Sequence, residues 1–158
     1  MTALGAIHWK LCAFDALSLQ ELYDLLQLRT EVFVVEQQCV FQDMDGTDAQ
    51  ALHLLGLQGQ QLVACARCFP AGIKFTEASI GRVITRKSLR GTGLGHVLID
   101  KAIESVSAQW GPQAIRIGAQ ARLKNFYSGH GFVDLGQPYL EDGIEHLAML
   151  RQPWSISP

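Results

Sequence analysis

The sequence predicts a mixed α/β fold, and three observations carry that prediction. Short runs of alternating or β-branched apolar residues recur along the chain, enough for a mixed sheet of six to seven strands. Two stretches, one opening at Ser18 and one near Gly95, carry apolar residues at helical spacing instead. The order is strand, helix, three strands, helix, strand, short helix and two strands, which flanks one sheet with helices. At 158 residues a single domain spanning 1–158 is expected, large enough to bury about two-thirds of its unfolded surface.

Residues 7–14 alternate Ile7, Trp9, Leu11 and Ala13 and make a first strand. Ser18-Leu19-Gln20-Glu21 is a capping box, in which Ser18 accepts a backbone N–H and Glu21 reaches back to the cap. The helix it opens carries Leu22, Leu25, Leu26 and Leu28-Arg29 towards Phe33. Residues 29–39 mix helical and strand preferences and leave the end of that helix open. Residues 42–48 form an acidic stretch that looks like a calcium loop. It lacks the glutamate such a loop carries at its twelfth position, so a solvated loop is expected. Residues 51–57 and 61–68 form a hairpin around Gln58-Gly59-Gln60. Pro70-Ala71-Gly72 breaks the second of these strands, and 78–85 returns as the next.

A long helix then runs to Trp110. Leu94, Val97, Leu98 and Ala102 form one apolar row on it, and Ile99, Ile103, Val106 and Trp110 another. Gly111-Pro112 ends it. A short strand at 114–119 follows, then a brief helix at 122–128 stopped by Gly129-His130-Gly131. Two strands at 132–135 and 144–150, around Glu141-Asp142-Gly143, complete the chain.

Composition narrows the function. A content of 48% hydrophobic and 18% charged residues describes a compact soluble protein. The net charge of −2 gives no footprint for nucleic acid or an anionic membrane, and neither is expected as a partner. No segment approaches the roughly 18 apolar residues of a spanning helix. No signal peptide is expected, because the apolar run near the start contains His8, Trp9 and Lys10, and a cytoplasmic location follows. Cys65 and Cys68 form a CxxC, but on a strand residues three apart point to opposite faces. With Cys12 and Cys39 they are expected as free thiols, with no metal site.

The strand at 78–85 feeds a basic turn and then a glycine cluster at the start of the long helix. A helix start has free N–H groups and a positive dipole end, and glycines let phosphate oxygens approach the backbone. A P-loop needs Lys-Ser or Lys-Thr after the glycines, and none follows. A dinucleotide fingerprint would place its third glycine at His96, and no acid follows Trp110 at the required distance.

The third pattern, (Gln/Arg)-x-x-Gly-x-(Gly/Ala), is matched without a gap by Arg90-Gly91-Thr92-Gly93-Leu94-Gly95. It resembles the acyl-CoA pyrophosphate loop of the GNAT N-acetyltransferase superfamily. Asn125-Phe126-Tyr127-Ser128-Gly129-His130-Gly131-Phe132 resembles a second region of that superfamily, shortened to Asn-x-Tyr followed by Gly-Phe. Four further blocks are similar to the ElaA-like subfamily: residues 28–37, 42–46, 118–121 and 141–144. The likeness covers essentially the whole chain.

The resemblance implies a GNAT fold in which the strand at 82–85 splays from its parallel neighbour at 115–120 and pairs with the pantetheine arm of acetyl-CoA. Val83, Ile84 and Thr85 would line that arm, with the amide of Ile84 or Val83 as oxyanion donor. Arg90, Gly91, Thr92, Gly93, Leu94 and Gly95 would hold the pyrophosphate. Asn125 would bond the pantetheine side, and Tyr127 would protonate the leaving thiolate. Many relatives place a glutamate base on the strand before the loop, where this chain has Gly81 and Arg82.

Glu36 is the first candidate base and His53 the second, the latter because a histidine titrates near neutrality. Arg29 is expected to pair with Glu36 or to bind an acceptor carboxylate. Glu141, Asp142 and His146 would line the acceptor mouth. The expected reaction moves an acetyl group to a primary amine of a small molecule or peptide, in a monomer or homodimer. Two alternatives are an acyl-CoA sensor without catalysis and a longer-chain acyltransferase of the homoserine-lactone-synthase type.

Overall fold

The computed structural model describes residues 5–155, and its strands join one seven-stranded sheet. The strands are β1 (His8–Ala13), β2 (Leu52–Gln58), β3 (Gln61–Phe69), β4 (Ala78–Thr85), β5 (Ile115–Gln120), β6 (Val133–Glu141) and β7 (Ile144–Arg151). They stand in the order β1-β2-β3-β4-β5-β7-β6. Every neighbouring pair is antiparallel except β4 and β5, which run parallel. The helices are α1 (Leu19–Arg29), α2 (Leu94–Trp110) and α3 (Lys124–Ser128). The capping box forms as expected: the Glu21 amide donates to Ser18 Oγ at 3.0 Å, and the Ser18 amide to Glu21 Oε1 at 2.8 Å.

The helices cover opposite faces. α2 presents Leu94, Leu98, Ile99, Ala102 and Val106 to a core that includes Val63, Ile80 and Ile117. Leu25, Leu28 and Val32 pack instead with Leu55, Leu62 and Ile84. Val97 is half exposed rather than in the apolar row. It sits about 135° around the helix from the centre of the buried stripe, at 100° per residue. Cys65 belongs to one core and Cys68 to the other, and all four cysteines are free and buried. Burial pushes the Cys65 and Cys68 thiols up to about 12.

β4 carries the feature that opens the sheet. Cys65 opposes Ile84 and Arg67 opposes Gly81, so one residue of β3 faces two of β4. That is a β-bulge, and Arg82 within it has a φ of 49°. The extra residue changes which way the strand faces: Ile80 packs in the α2 core and Ile84 in the α1 core, although residues four apart on a regular strand share a face.

Residues 29–48 resolve differently from the expectation. Thr30–Glu36 continues α1 as a π-helix, a wider turn among β-branched Thr30, Val32, Val34 and Val35. The acidic stretch that follows is not a solvated loop. Asp43 is buried, and its carboxylate accepts from Arg29 Nε at 2.8 Å and from Arg82 Nε at 2.7 Å. Asp48 accepts from Arg29 Nη1 at 2.7 Å and from Arg67 Nη1 at 3.0 Å. Asp45 pairs with Arg67 and Lys74. Burial alone pushes the Asp45 and Asp48 carboxyls up, yet the hydrogen bonds from Arg67, Thr47 and Lys74 on one, and from Arg29 and Arg67 on the other, bring both below the usual range.

Arg29, 1% exposed, therefore neither pairs with Glu36 nor reaches an acceptor. Removing one member of a buried ion pair leaves the other charged and unsatisfied. Arg29→Ala is expected to lose about 3 kcal/mol or more of unfolding free energy, read as a lower urea midpoint.

Candidate active site

β4 and β5 pair only at Ala78 with Ile115 and Ser79 with Arg116. Beyond these two positions the strands diverge, because the bulge at Arg82 bends β4 away. The wedge between them is a cleft of about 680 Å³. Val83, Ile84 and Thr85 line one wall, and Ile117, Gly118 and Gln120 the other. The β4 groups beyond Ser79 have no partner across the wedge, so an extended chain fits there as an added strand would.

One end of the cleft meets the start of α2. Gly91 and Gly93 have φ of 80° and 88°, a conformation that strains any residue with a Cβ. Gly93 is the N-cap, with no side chain on the first amides of α2, which leaves them open for an anion. Gly95 differs: a Cβ there would meet Phe126 at 3.5 Å, an ordinary contact, so alanine fits where the motif permits it. Arg90 sits at the lip. Its guanidinium is held across the cleft by Glu36, with Nη1 to Oε1 at 3.0 Å and Nη2 to Oε2 at 2.8 Å. The Arg90 hydrogen bond holds the Glu36 carboxyl below its usual range, which makes it a poor base. Glu36 thus lines the cleft as expected, but as the partner of Arg90.

Tyr127 comes from α3, lines the cleft, and packs edge-on against Phe126 and Phe132. Burial pushes its phenol up to about 12. Asn125 is exposed on the same helix and is not part of the cleft wall. His53, the second candidate base, is not there either. It is fully buried on β2, and its Nε2 bonds the Asp48 carbonyl oxygen at 2.8 Å. A carbonyl only accepts, so Nε2 carries the proton, and the buried Nδ1 has no partner. Burial and the nearby Arg29 and Arg67 keep the ring neutral by lowering its pKa.

The other end is built by the β6–β7 hairpin. Glu141, Asp142, Tyr139 and His146 all line it, as expected for the acidic pair and His146. The hairpin is tied to the segment just after the π-helix by Cys39 Sγ, which donates to the Asp142 carbonyl at 3.2 Å. Tyr139 stacks on His146 with ring centres 5.4 Å apart and planes 25° apart. Its hydroxyl then lies over Gly118, where a Cβ would come within 2.2 Å of it. Tyr139 carried no signal in the sequence, because only the register of β6 on β7 brings it across to β5. Arg82 also faces the cleft, over the rings of Phe33 and Phe41. Among the described residues no three His, Cys, Asp or Glu side chains are grouped to hold a metal ion.

The pattern of an acetyltransferase (GNAT) domain matches residues 16–152. Protein ElaA of Escherichia coli is 42% identical over 148 residues, which covers 92% of this chain and 97% of that one. The crystal structure of E. coli ElaA superposes with a TM-score of 0.87 at 41% identity, over 93% of this chain and 100% of that one. An acyl-CoA N-acyltransferase from Pseudomonas aeruginosa superposes with a TM-score of 0.88 at 40% identity, over 92% and 99%.

Gly118→Ala tests the aromatic stack. The atom it strikes is the far end of a half-exposed side chain, so Tyr139 swings away rather than the sheet breaking. Stability is expected to change by less than about 1 kcal/mol. The His146 ring protons should lose the upfield shift that a stacked tyrosine imposes, read by NMR.

Proposed function

We propose, for a chain that belongs to the GNAT acetyltransferase family, that it transfers an acetyl group from acetyl-CoA to a primary amine by direct attack in a ternary complex. The observation that carries the reading is the splayed β4–β5 wedge, which runs from a glycine-rich helix start, past a buried tyrosine, to an acidic mouth. On this reading the pantetheine arm pairs with the free side of β4. The pyrophosphate lies on Gly91–Gly95 and Arg90, and the amide of Val83 or Ile84 donates to the tetrahedral oxyanion. Asn125 stands outside the cleft wall and would meet the donor only at its outer end.

Tyr127 is the acid for the departing thiolate. Its phenol, at about 12, keeps its proton at neutral pH and has it to give. Glu141 and Asp142 at the open end favour a cationic amine over a neutral or anionic acceptor.

The test is thiol release from acetyl-CoA across a panel of polyamines, amino acids and lysine peptides. Tyr127→Phe is expected to lower kcat roughly 10²-fold while leaving acetyl-CoA affinity unchanged. Release at the wild-type rate would overturn the acid role. Glu36→Ala gives a second readout. It frees Arg90 for phosphate from a part-exposed ion pair of about 0.2–1 kcal/mol, so acetyl-CoA is expected to bind up to about fivefold tighter by calorimetry.

A further inference from the structure

The acetyl-transfer reading, on which this inference rests, requires a proton acceptor that neither Glu36 nor His53 supplies. We propose that His146 is the general base, taking a proton from the ammonium form of the acceptor, with Glu141 as the counter-charge beside it.

His146 lies on β7, is nearly buried, and opens onto the cleft beside Tyr139, Gly118 and Ile144. Its Nδ1 is 2.8 Å from the Ile144 carbonyl oxygen. A carbonyl oxygen accepts and never donates, so Nδ1 carries the hydrogen. In the neutral ring Nε2 therefore keeps its lone pair. The Tyr139 stack fixes the plane of the ring. Nε2 stands 3.5 Å from Glu141 Oε2. A lone pair and a carboxylate then face one another with no hydrogen between them. An ammonium group supplies hydrogens to both, which identifies the ligand this corner suits as a primary ammonium cation.

The proton balance closes. The ammonium gives one proton to His146 Nε2, and the neutral amine attacks the thioester carbon. As the new C–N bond forms, the carbonyl oxygen becomes the oxyanion. The C–S bond then breaks, and the thiolate takes the Tyr127 proton. The attacking nitrogen loses its second proton, which returns Tyr127 to the phenol. His146 later releases its own proton to water, leaving amide, free CoA thiol and one proton. The titratable and charged groups around His146 are Glu141 and Tyr139 from β6, Asp142 in the hairpin, Arg116 from β5 on the Tyr139 side, and Arg122 just after β5, whose Nε donates to Gln120 opposite His146.

The experiment measures thiol release from acetyl-CoA between pH 6 and 10 for the wild type, His146→Gln and Glu141→Gln, with spermidine and a lysine peptide as acceptors. His146→Gln is expected to lose about 10²-fold in kcat at pH 7 with the acetyl-CoA Kd unchanged. Its rate should go on rising about tenfold per pH unit towards the amine's own pKa near 10, because solution then delivers the neutral amine, while the wild type levels off earlier. Glu141→Gln, on the exposed hairpin, should lose about tenfold in kcat/KM whether or not the histidine variant folds.

A His146→Gln enzyme within twofold of the wild type, a deficit that stays constant across pH, or an unchanged Glu141→Gln would each overturn the base assignment while leaving acetyl transfer standing. Acetyl-CoA binding without thiol release by the wild type on either amine would overturn the acetyl-transfer reading and this inference with it.

Discussion

One carboxylate, Asp43, joins the segment after α1 to the strand that opens the cleft. It accepts from Arg29 through one oxygen and from Arg82 through the other, and almost none of it is exposed. Arg82 occupies the bulge at φ 49°, a costly conformation for a residue with a Cβ. The ion pair holds that residue in place, so the bulge persists, and the bulge turns β4 away from β5. Without it the two strands would continue the parallel ladder begun at Ser79 and Arg116, and the cleft would close. Asp43 is costly to desolvate, and two guanidinium partners offset that cost where one would fall short.

Around this fork the charges sort by depth. Arg29, Asp43 and Asp48 pair with one another away from the cleft, Arg67 joins them through Nη1 while its buried Nε finds no partner, and His53 stays neutral among them. The charged groups at the two ends of the cleft are less completely paired. Arg90 and Glu36 meet across its phosphate end, part exposed, and a pair of that kind exchanges partners at little cost. At the opposite end His146 and Glu141 face each other at 3.5 Å. Stability is vested in the first group, and the second remains free to meet ligands.

Glycine enters the site in two physical roles. Gly91 and Gly93 are set by backbone angle, since nothing in the chain stands near the Cβ either lacks. Gly118 is set by space alone, because the hydroxyl of Tyr139 occupies the volume its side chain would need. The first kind announces itself in a local motif. The second depends on a residue 21 positions away on another strand and leaves no local trace.

By itself the sequence determined the parts whose causes are local. The capping box at Ser18, the buried stripe of α2 apart from Val97, the glycine turn at its head and the split of Cys65 and Cys68 between two faces all follow from neighbours a few residues apart. The resemblance in Arg90–Gly95 and Asn125–Phe132 added the family and the splayed wedge. Tertiary structure decided which charges meet. Arg29 finds Asp43 at a separation of 14 residues, Arg82 finds the same carboxylate at 39, and Arg90 finds Glu36 at 54. No periodicity encodes such pairs. A side chain's usefulness as a base depends on the partner it ends beside and on its access to water, and folding sets both. Hence Glu36 and His53 are spoken for, and His146 stands at the mouth with its Nδ1 on the Ile144 carbonyl.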